Sequence, residues 1–211
     1  MSIAICKLHK SSHLRSSALF HIETRRWSLV EKDFSDGYTL AVPCHSPSCT
    51  HCECSYGPLL QICKLNPPAK VVKALLKADP LAAYEADCEG KYPLHIACEY
   101  GASPVVIKEL IQANSRAVKE KDMFGMLPIH IISKNYLIKI SHHLPKKIAQ
   151  NCMIEAMRLV LSKDPEIILE EDENEKCAIE YAIESGLSLE VIHTLQLEAG
   201  DKQMIRSSFL K

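Results

Sequence analysis

The sequence predicts an all-α solenoid of about four helix–turn–helix repeats joined by short hairpin loops. Three observations point there. The chain repeats itself at a fixed offset. The repeated unit carries a narrow apolar face that no single copy can bury. The composition, 47% hydrophobic but only 6% aromatic, suits close packing of helices through small residues better than a β-sandwich.

The repeat is explicit. Residues 58–87 align without a gap on 93–122 at an offset of 35, and ten of the thirty positions are identical. Among these are Pro58/Pro93, Leu59/Leu94, Cys63/Cys98, Val71/Val106, Leu75/Leu110, Ala82/Ala117 and Asp87/Asp122. The same offset carries Asp87-Cys-Glu-Gly90 onto Asp122-Met-Phe-Gly125, and Pro93-Leu-His-Ile96 onto Pro128-Ile-His-Ile131. Residues 153–172 then match 103–122 at an offset of 50, which places a 15-residue insertion near 137–151. A further copy starts at Cys177, where Ala182 and Gly186 match Ala97 and Gly101 at an offset of 85. The expected units are 56–87, 88–122, 123–172 with the insertion at 137–151, and 173–198. An N-terminal extension or cap (1–55) precedes them and a tail (199–211) follows.

Each repeated residue has a mechanical role. Gly90 and Gly125 allow positive φ in the hairpin turn. Pro93 and Pro128 suit the first turn of a helix, where a missing N–H costs little. Leu94, Ala97 and Cys98 share one helix face, with Ala97 small because neighbouring helices come close there. Gly101 and Gly186 end the first helix as C-cap glycines. Val105, Val106, Leu110 and Ile111 are expected to form the buried face of a short second helix, covered by the stacked neighbours.

A period near 33 residues with P-L-H-x-A resembles the ankyrin repeat. The stretch from Asp87 to Ile111 carries the resemblance most closely, with Tyr92 in place of the usual threonine before Pro93. The resemblance extends over about 56–198. It implies that His95 and His130 hydrogen-bond across turns rather than serve as ligands or bases. It also implies a protein without catalysis that binds another protein on a concave face, built from hairpin tips and the exposed side of each first helix. On this chain that face maps to Cys88, Glu89, Lys91, Glu99 and Tyr100 in the second repeat. In the third it maps to Met123, Phe124, Met126, Lys134 and Asn135. Met-Phe-Gly-Met puts three large apolar side chains at a turn, which makes them candidate anchors for a partner. The alternative is packing on the neighbouring hairpin or under the insertion.

Upstream, residues 21–40 show β-like apolar runs around Asp36-Gly37. They read as a hairpin or as a degraded leading repeat, either of which would cap the array. Residues 44–54, C-H-S-P-S-C-T-H-C-E-C, are unusual for an array of this kind. Cys44, Cys49, Cys52 and Cys54, with His45 and His51 nearby, have ligand types that suit tetrahedral zinc, and Cys49-x-x-Cys52 has knuckle spacing. A structural site normally adds a second pair from elsewhere, and the chain has no second C-x-x-C. The readings are therefore a loop of reduced cysteines, a zinc-binding module, or a thiol–disulfide switch at Cys49/Cys52. Zinc is the one cofactor under consideration.

No catalytic constellation is present: the chain has no phosphate-cradling glycine loop, no G-x-S-x-G and no H-E-x-x-H. The acidic run Glu170–Glu175 reads as a solvated turn rather than a cation site, and the basic, acid-free insertion (Lys134, Lys139, His142, His143, Lys146, Lys147) as a solvated loop or a contact for an acidic partner. A net charge of −1 gives no sign of nucleic-acid binding, and no apolar run is long enough to span a membrane. The expectation is a monomeric, cytoplasmic adaptor. The basic, serine-rich start, with Lys7, Lys10 and Arg15, leaves organelle targeting as the alternative.

Overall fold

The computed structural model describes residues 21–22, 24–35, 42–43, 55–142 and 144–198. Helix α1 (Trp27–Ser35) is followed by two short strands, β1 (Val42–Pro43) and β2 (Ser55–Tyr56), paired antiparallel with Val42 opposite Tyr56. Helix pairs then succeed one another. The first is α2 (Pro58–Cys63) with α3 (Ala69–Ala78), and the second α4 (Pro93–Glu99) with α5 (Pro104–Ala113). The third is α6 (Pro128–Ile131), prolonged through a π turn (Ile132–Tyr136) into α7 (Leu137–Ser141), with α8 (Lys146–Leu161). The fourth is α9 (Ala178–Glu184) with α10 (Leu189–Glu198).

Local chemistry sets these boundaries. Proline opens α2, α4, α5 and α6, where its missing N–H is one of the helix's unpaired donors anyway. After the second helix of the first three pairs comes a 3₁₀ turn: Pro80–Tyr84, Ser115–Val118 and Pro165–Leu169. Each is capped by the side chain before it. Asp79, Asn114 and Asp164 accept from the N–H of Leu81, Arg116 and Glu166 at 3.1, 3.1 and 3.0 Å. Buried Asn114 also donates from Nδ2 to the Ala83 carbonyl at 2.9 Å, tying the second repeat to the first.

The core runs the length of the stack. Leu59, Ile62, Cys63, Leu94, Ala97, Cys98, Ile129 and Ile132 are buried on the first helices. Val71, Val72, Leu75, Val106, Ile107, Leu110, Val160 and Leu161 are buried on the second. A fully buried aliphatic side chain of this size contributes about 1.5–3 kcal/mol, and each here is covered by a neighbouring repeat. One expectation needs correction. Val105 is 53% exposed, whereas Ile107 is buried. The buried face of α5 is Val106, Ile107, Leu110 and Ile111, a spacing of i, i+1, i+4 and i+5 that follows the 3.6-residue turn.

Of the two readings of residues 21–40, a hairpin or a degraded leading repeat, the hairpin is replaced, for its described part, by α1. Trp27, Val30 and Phe34 recur at i, i+3 and i+7, a helical spacing. Val30 is buried, α1 packs on α3, and Glu31 pairs with Lys70 at 3.1 Å. Asp36 and Gly37 lie outside the described residues.

The insertion is not a loop. Asn66, Gly101 and Gly186 end the first helices of their repeats with φ of +54°, +71° and +64°. In the third repeat Tyr136 occupies that position, and the helix continues as α7. Of the other added residues, those from Lys146 onward extend the start of α8. As a result α7 overhangs the second repeat: a Cβ on Gly101 would lie 2.6 Å from Ile140 Cγ2. Tyr136, fully buried, donates from its hydroxyl to the Ala102 carbonyl at 2.5 Å.

Candidate binding surface

The hairpins that precede α4, α6 and α9 are held rigidly. Asp87 Oδ1 accepts from the N–H groups of Glu89 and Lys91, both at 2.9 Å. Asp122 does the same for Phe124 and Met126 at 2.9 Å, and Asp172 for Asn174 and Lys176 at 2.8 and 3.1 Å. Gly90, Gly125 and Glu175 take the positive φ that the turn requires, +72°, +71° and +59°. The tips are then laced together. Met123 N–H donates to the Glu89 carbonyl at 2.8 Å, and Glu173 N–H to the Phe124 carbonyl at 3.2 Å.

Two histidines secure the bases of these hairpins. His95 Nδ1 accepts from Tyr92 N–H at 3.3 Å, so the ring proton sits on Nε2, which donates to the Glu120 carbonyl at 2.9 Å. His130 repeats the arrangement with Leu127 N–H at 2.9 Å and the Glu170 carbonyl at 2.8 Å. Both rings are fully buried. Burial pushes the pKa of His95 down to about 4 and lowers that of His130, so both are neutral struts near neutrality.

On this frame the face expected from the sequence is partly apolar and partly self-paired. Cys88 is exposed at the second tip, and Met123 and Phe124 are 55% and 46% exposed at the third. Met126, placed among the exposed anchors by sequence, belongs instead to the core. It lies on the returning limb of the hairpin, past Gly125, where the side chain turns into the stack. Lys91 is bridged to Glu99 at 2.9 Å and to Glu89 at 3.1 Å. Burial opposes its charge, but the two carboxylates outweigh that and raise its pKa above the ordinary lysine value. Three candidate residues are thus drawn together, into an ion network within the chain. Tyr100 is partly exposed, Lys134 is exposed and Asn135 is half-buried.

Sequence reasoning missed the counterpart of this network in the fourth repeat. Lys176 pairs with Glu184 at 2.6 Å, and both lie 85 residues after Lys91 and Glu99. That offset was the available signal. The third repeat has Met126 and Lys134 at these places. Lys134 Nζ instead lies 5.1 Å above the ring of Tyr181.

Cys44, Cys49, Cys52 and Cys54, with His45 and His51, lie outside the described residues. Among the described residues no group of three or more His, Cys, Asp or Glu could hold a metal ion. Cys63 and Cys98 are core residues: both are fully buried, and burial pushes the Cys63 thiol up to about 12. None of the described helices is long and apolar enough to cross a membrane.

Comparison with protein families supplies the remaining observation. The model of the ankyrin repeat matches residues 89–119. The chain carries an ankyrin repeat. The matched span is one whole unit, running from the second hairpin tip through α4 and α5 into the following 3₁₀ turn. The other units of the array follow from the offsets of 35, 50 and 85. No curated protein matches the chain.

Proposed function

We propose that this ankyrin-repeat protein is a non-enzymatic adaptor that holds a protein partner against its hairpin tips and the exposed side of its first helices. The observation that carries the reading is the pair Met123 and Phe124, two large apolar side chains exposed on a turn whose backbone is fixed by Asp122 and by both neighbouring tips. Apolar groups presented on a rigid frame lose little entropy on docking, and such residues commonly dominate interface energy. Family resemblance supports the same reading, although fold alone does not determine function. The test is quantitative affinity purification with the full chain and its Phe124→Asp variant. The expected result is a set of proteins recovered by the parent and depleted at least tenfold with the variant, whose circular dichroism is unchanged. Equal recovery by both would overturn the proposal.

A second reading, zinc binding by Cys44, Cys49, Cys52 and Cys54, draws support from the pairing of β1 with β2. That pairing brings Pro43 and Ser55, the residues flanking 44–54, side by side. Elemental analysis of protein purified under reducing conditions tests it. About one zinc per chain, lost in Cys49→Ser/Cys52→Ser, supports the site, and a metal-free parent overturns it.

A further inference from the structure

At the far end of the first helices from the hairpin tips, the overhang of α7 creates a cleft of about 630 Å³. Its floor is the turn between α2 and α3 (Lys64, Asn66) and the turn between α4 and α5 (Tyr100, Ser103). One wall is the third-repeat extension, with Lys139, Ile140 and His142, and Arg25 closes the side nearest α1. Three permanent cations and a histidine therefore converge from three separate parts of the chain. None of the described residues that line the cleft is acidic. This is not the character of the whole chain, whose net charge is −1.

The cations are placed rather than trailing. Lys139 Nζ lies 5.5 Å over the ring of Tyr100, and its backbone is fixed by the packing of α7 against Gly101. Arg25 leaves the chain at a residue of φ +55°, held between turns in which Arg25 N–H donates to the Ile22 carbonyl at 3.0 Å and Trp27 N–H to the Arg25 carbonyl at 2.9 Å. Gathering like charges around one concavity costs electrostatic free energy, and their summed field makes the cleft attractive to an anion. The volume lies within the range of small-molecule sites. The start of α5 at Ser103 and Pro104 turns the positive end of a ten-residue helix towards the same space.

We propose that this cleft binds a compact polyanion, a small molecule carrying two or more phosphate groups, with Arg25 and Lys139 as its charge partners. Arg25 supplies a planar fork for two phosphate oxygens, and Lys139 acts as a point charge. His142 adds a donor on the rim. The site is separate from the hairpin tips and stands whether or not those bind a protein.

Isothermal titration of the full chain at physiological salt tests the proposal, with tripolyphosphate as probe, citrate as the carboxylate counterpart and sulfate as the single-anion control. Saturable binding of tripolyphosphate at one site per chain is expected, with citrate and sulfate at least tenfold weaker. Lys139→Glu and Arg25→Glu, both at exposed positions, should each weaken binding at least tenfold. Lys147→Glu, an exposed lysine outside the cleft, should leave it unchanged. Three results would overturn the proposal: no saturable binding, citrate binding as tightly as tripolyphosphate, or equal losses in all three variants, which would mark a diffuse response to net charge. Circular dichroism of each variant separates loss of the site from loss of fold.

Discussion

In the second repeat α4 stops at Tyr100 because Gly101 turns the chain with a φ of +71°; in the third, Tyr136 stands in that place and the helix runs on to Ser141. The two units otherwise share their hairpin aspartate, turn glycine, helix-opening proline and buried histidine. The second is closed on itself, with Lys91 bridging Glu89 and Glu99. The third has Met126 in the core, Lys134 over a tyrosine of the fourth repeat, and Met123 and Phe124 turned outward. A single repeat frame thus supports two surfaces. What separates them is a handful of positions that the frame leaves unconstrained, plus the one position, Gly101 against Tyr136, that decides where the helix ends.

The largest effect is expected from what the two repeats have in common. His95 is neutral in the fold with a pKa of about 4, against an ordinary value of 6.5 once unfolded. Between those values the unfolded chain binds more protons than the folded one. The contribution of neutral His95 to stability is therefore fully present above pH 6.5, falls as the pH drops, and is lost by about pH 4. His95 alone accounts for about 3 kcal/mol of this loss, and His130 adds to it in the same direction. Urea midpoints measured across that range give the slope. In His95→Asn the slope should flatten, with His130 responsible for what remains. An unchanged slope would mean that the histidines open to water without unfolding, and that the shared frame is looser than its geometry.

A smaller effect distinguishes the two helix ends. Gly101 and Gly186 have similar φ, but a Cβ at Gly101 would strike Ile140 while a Cβ at Gly186 meets nothing within 4 Å. Gly186→Ala should cost about 1 kcal/mol for the left-handed backbone alone. Gly101→Ala should cost about 2–4 kcal/mol, because overpacking adds to that strain. Equal costs by thermal or urea denaturation would show that α7 yields easily and does not clasp the second repeat.

Much of this contrast was legible in the sequence, and the unread part has physical reasons. The array, its turn glycines and its bracing histidines follow from residues whose roles are local and repeated, so an offset suffices to find them. The replacement of Gly101 by Tyr136 was visible in the same alignment. Its consequence needed one further step: without a residue that readily turns left-handed, a helix followed by Leu137, Ile138, Lys139 and Ile140 has no reason to stop. The helical spacing of Trp27 and Val30 was hidden by the β-branched and aromatic residues around it, which favour strands until a helix such as α3 offers a face to pack on. Met126 could not be placed from its turn alone, because whether the limb after Gly125 faces inward depends on the neighbouring repeat. The cleft was beyond reach, since Arg25, Lys64 and Lys139 come together only when three units and α1 are stacked.

A modest effect tests the clasp itself. Tyr136→Phe keeps the ring and removes the donor to the Ala102 carbonyl, leaving an acceptor on a fully buried residue without that partner. The expected cost is about 1–2 kcal/mol. Stability alone would not separate this bond from general packing, so the informative reading is hydrogen exchange in α7. If the hydroxyl anchors the extension to the second repeat, amides of Leu137–Ser141 should exchange faster in the variant, while those of α4 and α5 keep their order of protection. The two proposed binding surfaces should then part company. The cleft wall carrying Lys139 would loosen and tripolyphosphate affinity would fall, whereas the Met123–Phe124 tip, fixed by Asp122 and its neighbours at the other end of the repeat, would be untouched. If exchange in α7 does not change, the extension is held by Ile140 against Gly101, and the difference between the two repeats lies in packing with no contribution from the bond.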